Sequence, residues 1–153
     1  MTEEDEAVNW HARFGAEAFN ASWELIDKSD RTGDENVDML VAAAASRWHK
    51  GQIGRPDLVW MGEWQVSHVA SLLGMTDLAL SAARRSLEIA EREGWDGWRL
   101  GSAHEGMARA CAAAGDRDGR ERHIDHANAA LAREPEEDER TVIAGQLATI
   151  PDV

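Results

Sequence analysis

With 153 residues, the chain can bury about two-thirds of the surface that its unfolded form would expose, and a single cysteine, Cys111, excludes an internal disulfide. The 16 basic against 29 acidic residues give a net charge of -13, which argues against nucleic acid or an anionic membrane as partner. The start MTEEDEAVNW lacks the basic and apolar runs of a signal peptide, and no apolar segment nears the roughly 20 residues of a membrane span, so the expected address is the cytoplasm.

Alanine is abundant, prolines are few and no alternating β-branched run occurs, which predicts an all-α chain. From about Glu4 to Lys28, Val8, Ala12, Gly15, Phe19, Trp23 and Ile26 recur at three- and four-residue steps, the spacing of one helical face. A second helix starts near Asp34, presents Val37, Val41, Ala44 and Trp48 on its inward side and stops at Gly51. Pro56 sits well in the first turn of a third helix that runs to Gly74. Within it, Val59, Gly62 and Val66 are candidates for packing on the neighbouring helix. Thr76 can cap a fourth helix with the stripe Leu80, Ala83, Leu87 and Ala90, which Gly94 ends. Asp96 can cap a fifth, to about Ala114, with Leu100, Ala103, Met107 and Cys111 inward. A sixth runs from about Asp118 to Arg133, and a short seventh follows Pro135 to about Leu147.

Gly33, Gly74 and Gly115 recur at one fixed interval, each in a turn between predicted helices. In LLGMTDLALSAARRSLEIA and AAGDRDGRERHIDHANAAL, a helix ends on small residues, a glycine turns the chain, a polar pair follows and an amphipathic helix begins. With Ala79, Leu80, Ala83, Ser86 and Leu87 after the second glycine, the chain resembles the tetratricopeptide repeat. Its texture at SRWHKGQ, GEW and AHEGMARACAAAGD is also similar to a group of uncharacterised bacterial proteins with tetratricopeptide-like character. The resemblance implies one domain, residues 1–153, of stacked antiparallel helical hairpins: an α-solenoid of about seven helices, with units at about 4–51, 56–94 and 96–133 and a capping helix at about 136–147.

In that family, the first helix of each hairpin lines a concave groove. The resemblance therefore carries groove places onto Asn20, Trp23 and Asp27, onto Met61, Trp64, His68 and Leu72, and onto Ser102, Glu105, Arg109 and Ala113. Trp64 and His68 are four residues apart, as are Glu105 and Arg109, so each pair shares a helical face. Indole offers apolar area with one donor, and arginine holds a carboxylate with two bonds. The expected function is a non-enzymatic binding or interaction module for a peptide, protein or small ligand, with Trp23, Trp64, His68, Glu105 and Arg109 as contacts and no cofactor. The competing structural expectation is that the tryptophans fill space between helices and that Glu105 and Arg109 form a helix-surface ion pair.

The alternative is a small metal-dependent protein or enzyme using His68, His104, Glu63 and Glu105. The chain has no ExxH pair, no HExxH motif and no phosphate-cradling loop; His123 and His126 share a face that reads as exposed. Trp48 is expected in the core and Cys111 as a buried packing residue, while Trp95 and Trp98 staple a helix start or form an exposed patch. A stack this short leaves end faces open unless a terminal helix or a second copy covers them, so a homodimer is expected.

Overall fold

A computed structural model describes residues 1–153 as seven α-helices with no strand: α1 Glu3–Ile26, α2 Gly33–Ile53, α3 Pro56–Leu72, α4 Thr76–Arg92, α5 Gly97–Ala113, α6 Arg117–Leu131 and α7 Glu137–Leu147. None is long and apolar enough to cross a membrane. Local chemistry sets most of the ends. Thr2 and Thr32 form reciprocal capping boxes with Asp5 and Glu35, satisfying backbone donors that a helix start leaves free. Asp96 accepts from Gly97 N and Asp116 from Gly119 N at the starts of α5 and α6, and Pro56 occupies the first position of α3. Thr76 begins α4 without capping it; Met75 stands at the cap and makes no side-chain bond there.

Gly74 and Gly115 adopt φ of 69° and 74°, a left-handed backbone that a Cβ would strain. Each lets the following N–H return to a carbonyl of the finished helix, Met75 N to Ala70 O at 2.9 Å and Asp116 N to Cys111 O at 2.9 Å. Of the three equally spaced glycines only these two make that turn, and Gly94, with φ of 67°, ends α4 in the same way as Trp95 N returns to Ala90 O at 3.0 Å. Gly33 is the first residue of α2, and the α1–α2 link is instead closed by Arg31, whose Nη1 donates to the Leu25, Ile26 and Lys28 carbonyls at 3.0, 3.2 and 2.6 Å.

The helices pack as antiparallel hairpins α1/α2, α3/α4 and α5/α6, each against the next; α1, α3 and α5 lie side by side, and α7 lies against α5 and α6. The core is rich in alanine. Met39, Ala43, Val66, Val69 and Ala82 join α2, α3 and α4, while Ala70, Ala79, Ala83, Met107, Ala110 and Cys111 join α3, α4 and α5. Trp60 is buried near the α4–α5 turn between the rings of Trp95 and Trp98 at 5.7 and 5.6 Å, so those two tryptophans wrap a core ring. Small side chains let helix axes approach, which encloses the chain continuously from Gly62 to Ala70 and from Gly101 to Ala112.

The face predicted inward on α2 is the outward one. Val37, Val41 and Trp48 are 59%, 59% and 53% exposed, and Met39, Ala43, Ser46 and Lys50 are buried instead. Both stripes have helical spacing, and hydrogen bonding selects between them. Ser46 Oγ donates to Gly15 O at 2.9 Å and Ser22 Oγ donates to Met39 O at 3.1 Å, tying α2 to α1 through backbone groups. Gly15 permits the approach, since a Cβ there would lie 3.3 Å from His49 Cβ.

Candidate functional site

The site begins on α5, where Glu105 is fully buried. Trp64 Nε1 donates to Glu105 Oε2 at 3.0 Å from α3, and Arg109 Nε donates to Glu105 Oε1 at 2.8 Å from one helical turn onward. Arg109 Nη2 lies 2.6 Å from Glu105 Oε1 and donates to Gln146 O at 2.9 Å and Thr149 Oγ1 at 2.8 Å, so α7 and the turn after it close the chain of bonds. Arg109 is 4% exposed. The pair is therefore no helix-surface bridge. It is a largely buried charge pair that reaches the surface only where Arg109 enters a cavity wall, and its desolvation is offset by the further bonds that Trp64, Gln146 and Thr149 make to it. Gly106 leaves room for the indole: a Cβ there would lie 3.1 Å from Trp64 Cδ1.

Above this floor, the rings of Trp23, Trp64 and His68 form a triangle, with centroid separations of 5.7 Å for the two indoles and of 5.6 and 5.4 Å from His68 to each. His68 is buried, and its Nδ1 is sealed without a hydrogen-bond partner. Burial, assisted by the nearby Arg109 charge, pushes it down to about 3, so the ring is neutral at physiological pH.

A cavity of about 460 Å³ opens against these groups, with Trp23, Asp27, His68, Leu72, Arg109 and Gln146 in its wall. A second of about 210 Å³ shares Trp23, Val142 and Gln146 with it and extends past Trp60, Met61 and Trp64. Together they form a groove along α1, α3 and α5 with α7 as the fourth wall. Of the five sequence-predicted contacts, Trp23, Trp64, His68 and Arg109 line it and Glu105 lies beneath, bonded to two of them. Ser102 and Asp27 also reach the groove, while Asn20 lines a separate cavity between α1 and α3.

The assembly follows one register. Trp64 and Glu105 are 41 residues apart, and Trp23, Trp64, Glu105 and Gln146 continue that interval, as do Asp27, His68 and Arg109. Equivalent places on successive first helices stand side by side, which turns four distant residues into one row. Sequence reasoning missed Gln146, Val142 and Thr149 because α7 was read only as a cap. One further step of 41 residues from Glu105 would have found Gln146. Sealed polar atoms without partners include Gln146 Oε1 and Trp60 Nε1 besides His68 Nδ1, so three of the four in the chain belong to groove-lining residues.

The metal alternative is not assembled. Glu63 is buried among α2, α3 and α4, where Arg47 Nε and Nη2 donate to it at 2.9 and 2.8 Å and Arg85 Nη2 at 3.0 Å. His104 turns toward α6, with its Nδ1 3.0 Å from His123 Nδ1 and its ring stacked 5.0 Å from His126, and His68 faces the two indoles. Glu63 and His68, five positions apart on α3, diverge by roughly 140°, and His104 on α5 diverges by about 100° from its neighbour Glu105, so the candidate ligands point into different surroundings. No three His, Cys, Asp or Glu side chains converge as a metal-holding group. His123, expected to be exposed, is half-buried by its contact with His104. Burial and the charges of His123 and His126 bring His104 down to about 4. Compared with family models, curated proteins and solved structures, the chain finds no match.

Proposed function

We propose that the chain is a non-enzymatic binding module, a helical stack of tetratricopeptide type whose groove takes a peptide or small ligand with an apolar body and an anionic end. The observation that carries this reading is the supported arginine. Arg109 spends Nε and Nη2 on Glu105, Gln146 and Thr149, which leaves Nη1 without a protein partner in the wall of a 460 Å³ cavity. Trp23, Ile26, Leu72 and Val142 supply apolar wall beside it, and the neutral His68 adds a ring nitrogen without adding charge. Naphthalene-1-acetate and its uncharged amide test the reading by titration calorimetry. The acid is expected to bind saturably and more tightly than the amide, and Trp23→Ala is expected to weaken it. Equal binding to wild type and Trp23→Ala, or no binding of either compound, would refute it.

A second copy of the chain is the partner we infer for the outer face of the first hairpin, where Trp10, Phe14, Trp48, Val37 and Val41 are exposed. Two helices about 30 Å long and 10 Å wide offer roughly 600 Å² per copy, or about 1,200 Å² for a symmetric pair, at the lower end of stable interfaces. Arg13 and Glu17, paired at 2.8 Å on the same face of α1 as Trp10, give both signs of charge to that surface, so a two-fold pairing needs no like-charge contact at its centre.

A further inference from the structure

Among the 16 basic side chains only Lys28 and Lys50 are lysines, and the two have opposite surroundings. Lys28 is partly exposed and paired with Glu35 at 2.6 Å. Lys50, near the end of α2, is 5% exposed and has no carboxylate within reach. Its Nζ donates to Ser46 Oγ at 2.8 Å and to Gly15 O at 3.3 Å, and it stands 4.3 Å from the centroid of the Phe19 ring. An enclosed lysine with only uncharged partners is rare, because burial of an unpaired ammonium is costly. Apart from Lys28, the other basic residues are all arginine, which cannot supply a free amine near neutral pH; lysine can. Burial brings Lys50 down to about 8, so a useful fraction is unprotonated under ordinary conditions.

A cavity of about 320 Å³ adjoins the residue, with Ala16, Phe19, Ile53, Leu58 and Met61 as apolar wall and Arg55 as the other charged group. Phe19 and Met61 also line the smaller part of the groove, so the two spaces are neighbours.

We propose that Lys50 is a nucleophilic amine that captures a small aldehyde or ketone with an apolar body, as a reversible imine. The Nζ lone pair attacks the carbonyl carbon and a C–N bond forms. The former carbonyl oxygen then leaves as water, carrying both hydrogens of the amine, and no oxidation or reduction occurs. Hydrolysis reverses the step. Ser46, hydrogen-bonded to Nζ and itself anchored on Gly15 O, orients the amine. The proposal stands independently of the groove reading, since it uses a different cavity and a different chemistry.

The test is native protein treated with benzaldehyde and sodium cyanoborohydride at neutral pH, then digested and mapped by mass spectrometry. The expected result is a reduced benzyl adduct on Lys50 that forms at least about tenfold faster than on Lys28, as a depressed amine pKa predicts. Lys50→Arg retains a cation with donors and should lose that adduct while Lys28 is modified as before. Modification of Lys28 or the amino terminus ahead of Lys50, or modification of Lys50 only after unfolding in urea, overturns the proposal. The ratio of the two lysines in wild type decides the matter even if Lys50→Arg folds poorly.

Discussion

Glu105→Gln is nearly isosteric and removes one charge from the enclosed chain of bonds. The carboxylate now accepts from Trp64 Nε1 through one oxygen and from Arg109 Nε through the other. An amide has one oxygen and an NH2 group, so one of those donors would face another donor. Arg109, 4% exposed, would also keep its charge without a counter-ion, although its bonds to Gln146 O and Thr149 Oγ1 would remain. Breaking a buried pair in this way costs about 3–5 kcal/mol, a large part of the roughly 5–15 kcal/mol by which domains are stable. At about 2–4 °C per kcal/mol for a chain of this size, the melting temperature should fall by roughly 6–20 °C. Urea unfolding followed by helical circular dichroism measures the loss as a lower midpoint with an unchanged slope. Adding Arg109→Met should recover part of it by removing the bare charge. A loss below about 1 kcal/mol would refute the reasoning, because a surface-like pair gives only that much.

Acid should weaken the fold through its enclosed histidines. His68 at about 3 and His104 at about 4 are neutral when folded, while both charge near 6.5 once unfolded, so the unfolded chain binds more protons and stability falls as pH drops below about 6.5. Each contributes a slope of about 1.4 kcal/mol per pH unit within its window, and His104→Asn should remove about half of the combined slope in urea midpoints between roughly pH 4.5 and 6. A flat profile there would contradict the burial argument. Gly62→Ala should cost about 1–3 kcal/mol, since its Cβ would lie 3.0 Å from Arg47 Cα and α2 cannot yield as a flexible side chain can; an unchanged midpoint would contradict it. Trp48→Asp should give a monomer by light scattering with little change in melting temperature, because this residue is outside the core. A wild type that is monomeric at high concentration would remove the second-copy reading.

Many helix ends were legible in the sequence because their causes are local, although α2 runs past the expected stop at Gly51 to Ile53 and is closed by Gly54. Pro56, Asp96, Gly74 and Gly115 each act on a backbone group within a few residues. The shared helical face of Trp64 and His68, and that of Glu105 and Arg109, was legible from the four-residue spacing, whereas the bond of Trp64 Nε1 to Glu105 Oε2 emerges only when α3 and α5 lie side by side. The buried face of α2 was not. Val37, Val41 and Trp48 make as good an apolar stripe as Met39 and Ala43, and the decision rests on Ser46, Lys50 and the space at Gly15, which depend on where α1 lies. The same limit hid Lys50, which continues the buried stripe at helical spacing but, as a charged residue, carries no apolar signal; α7's part in the groove was marked only by the repeat interval that leads from Glu105 to Gln146.

The central claim is that Trp23, Trp64, His68 and Arg109 together form a binding wall. Assigned indole N–H signals in a nitrogen–proton spectrum report on each tryptophan separately during addition of naphthalene-1-acetate. The Trp23 and Trp64 signals should shift together and saturate, with the exposed Trp10 and Trp48 signals unmoved. Saturating shifts at Trp10 and Trp48 with Trp23 and Trp64 unchanged would contradict the account.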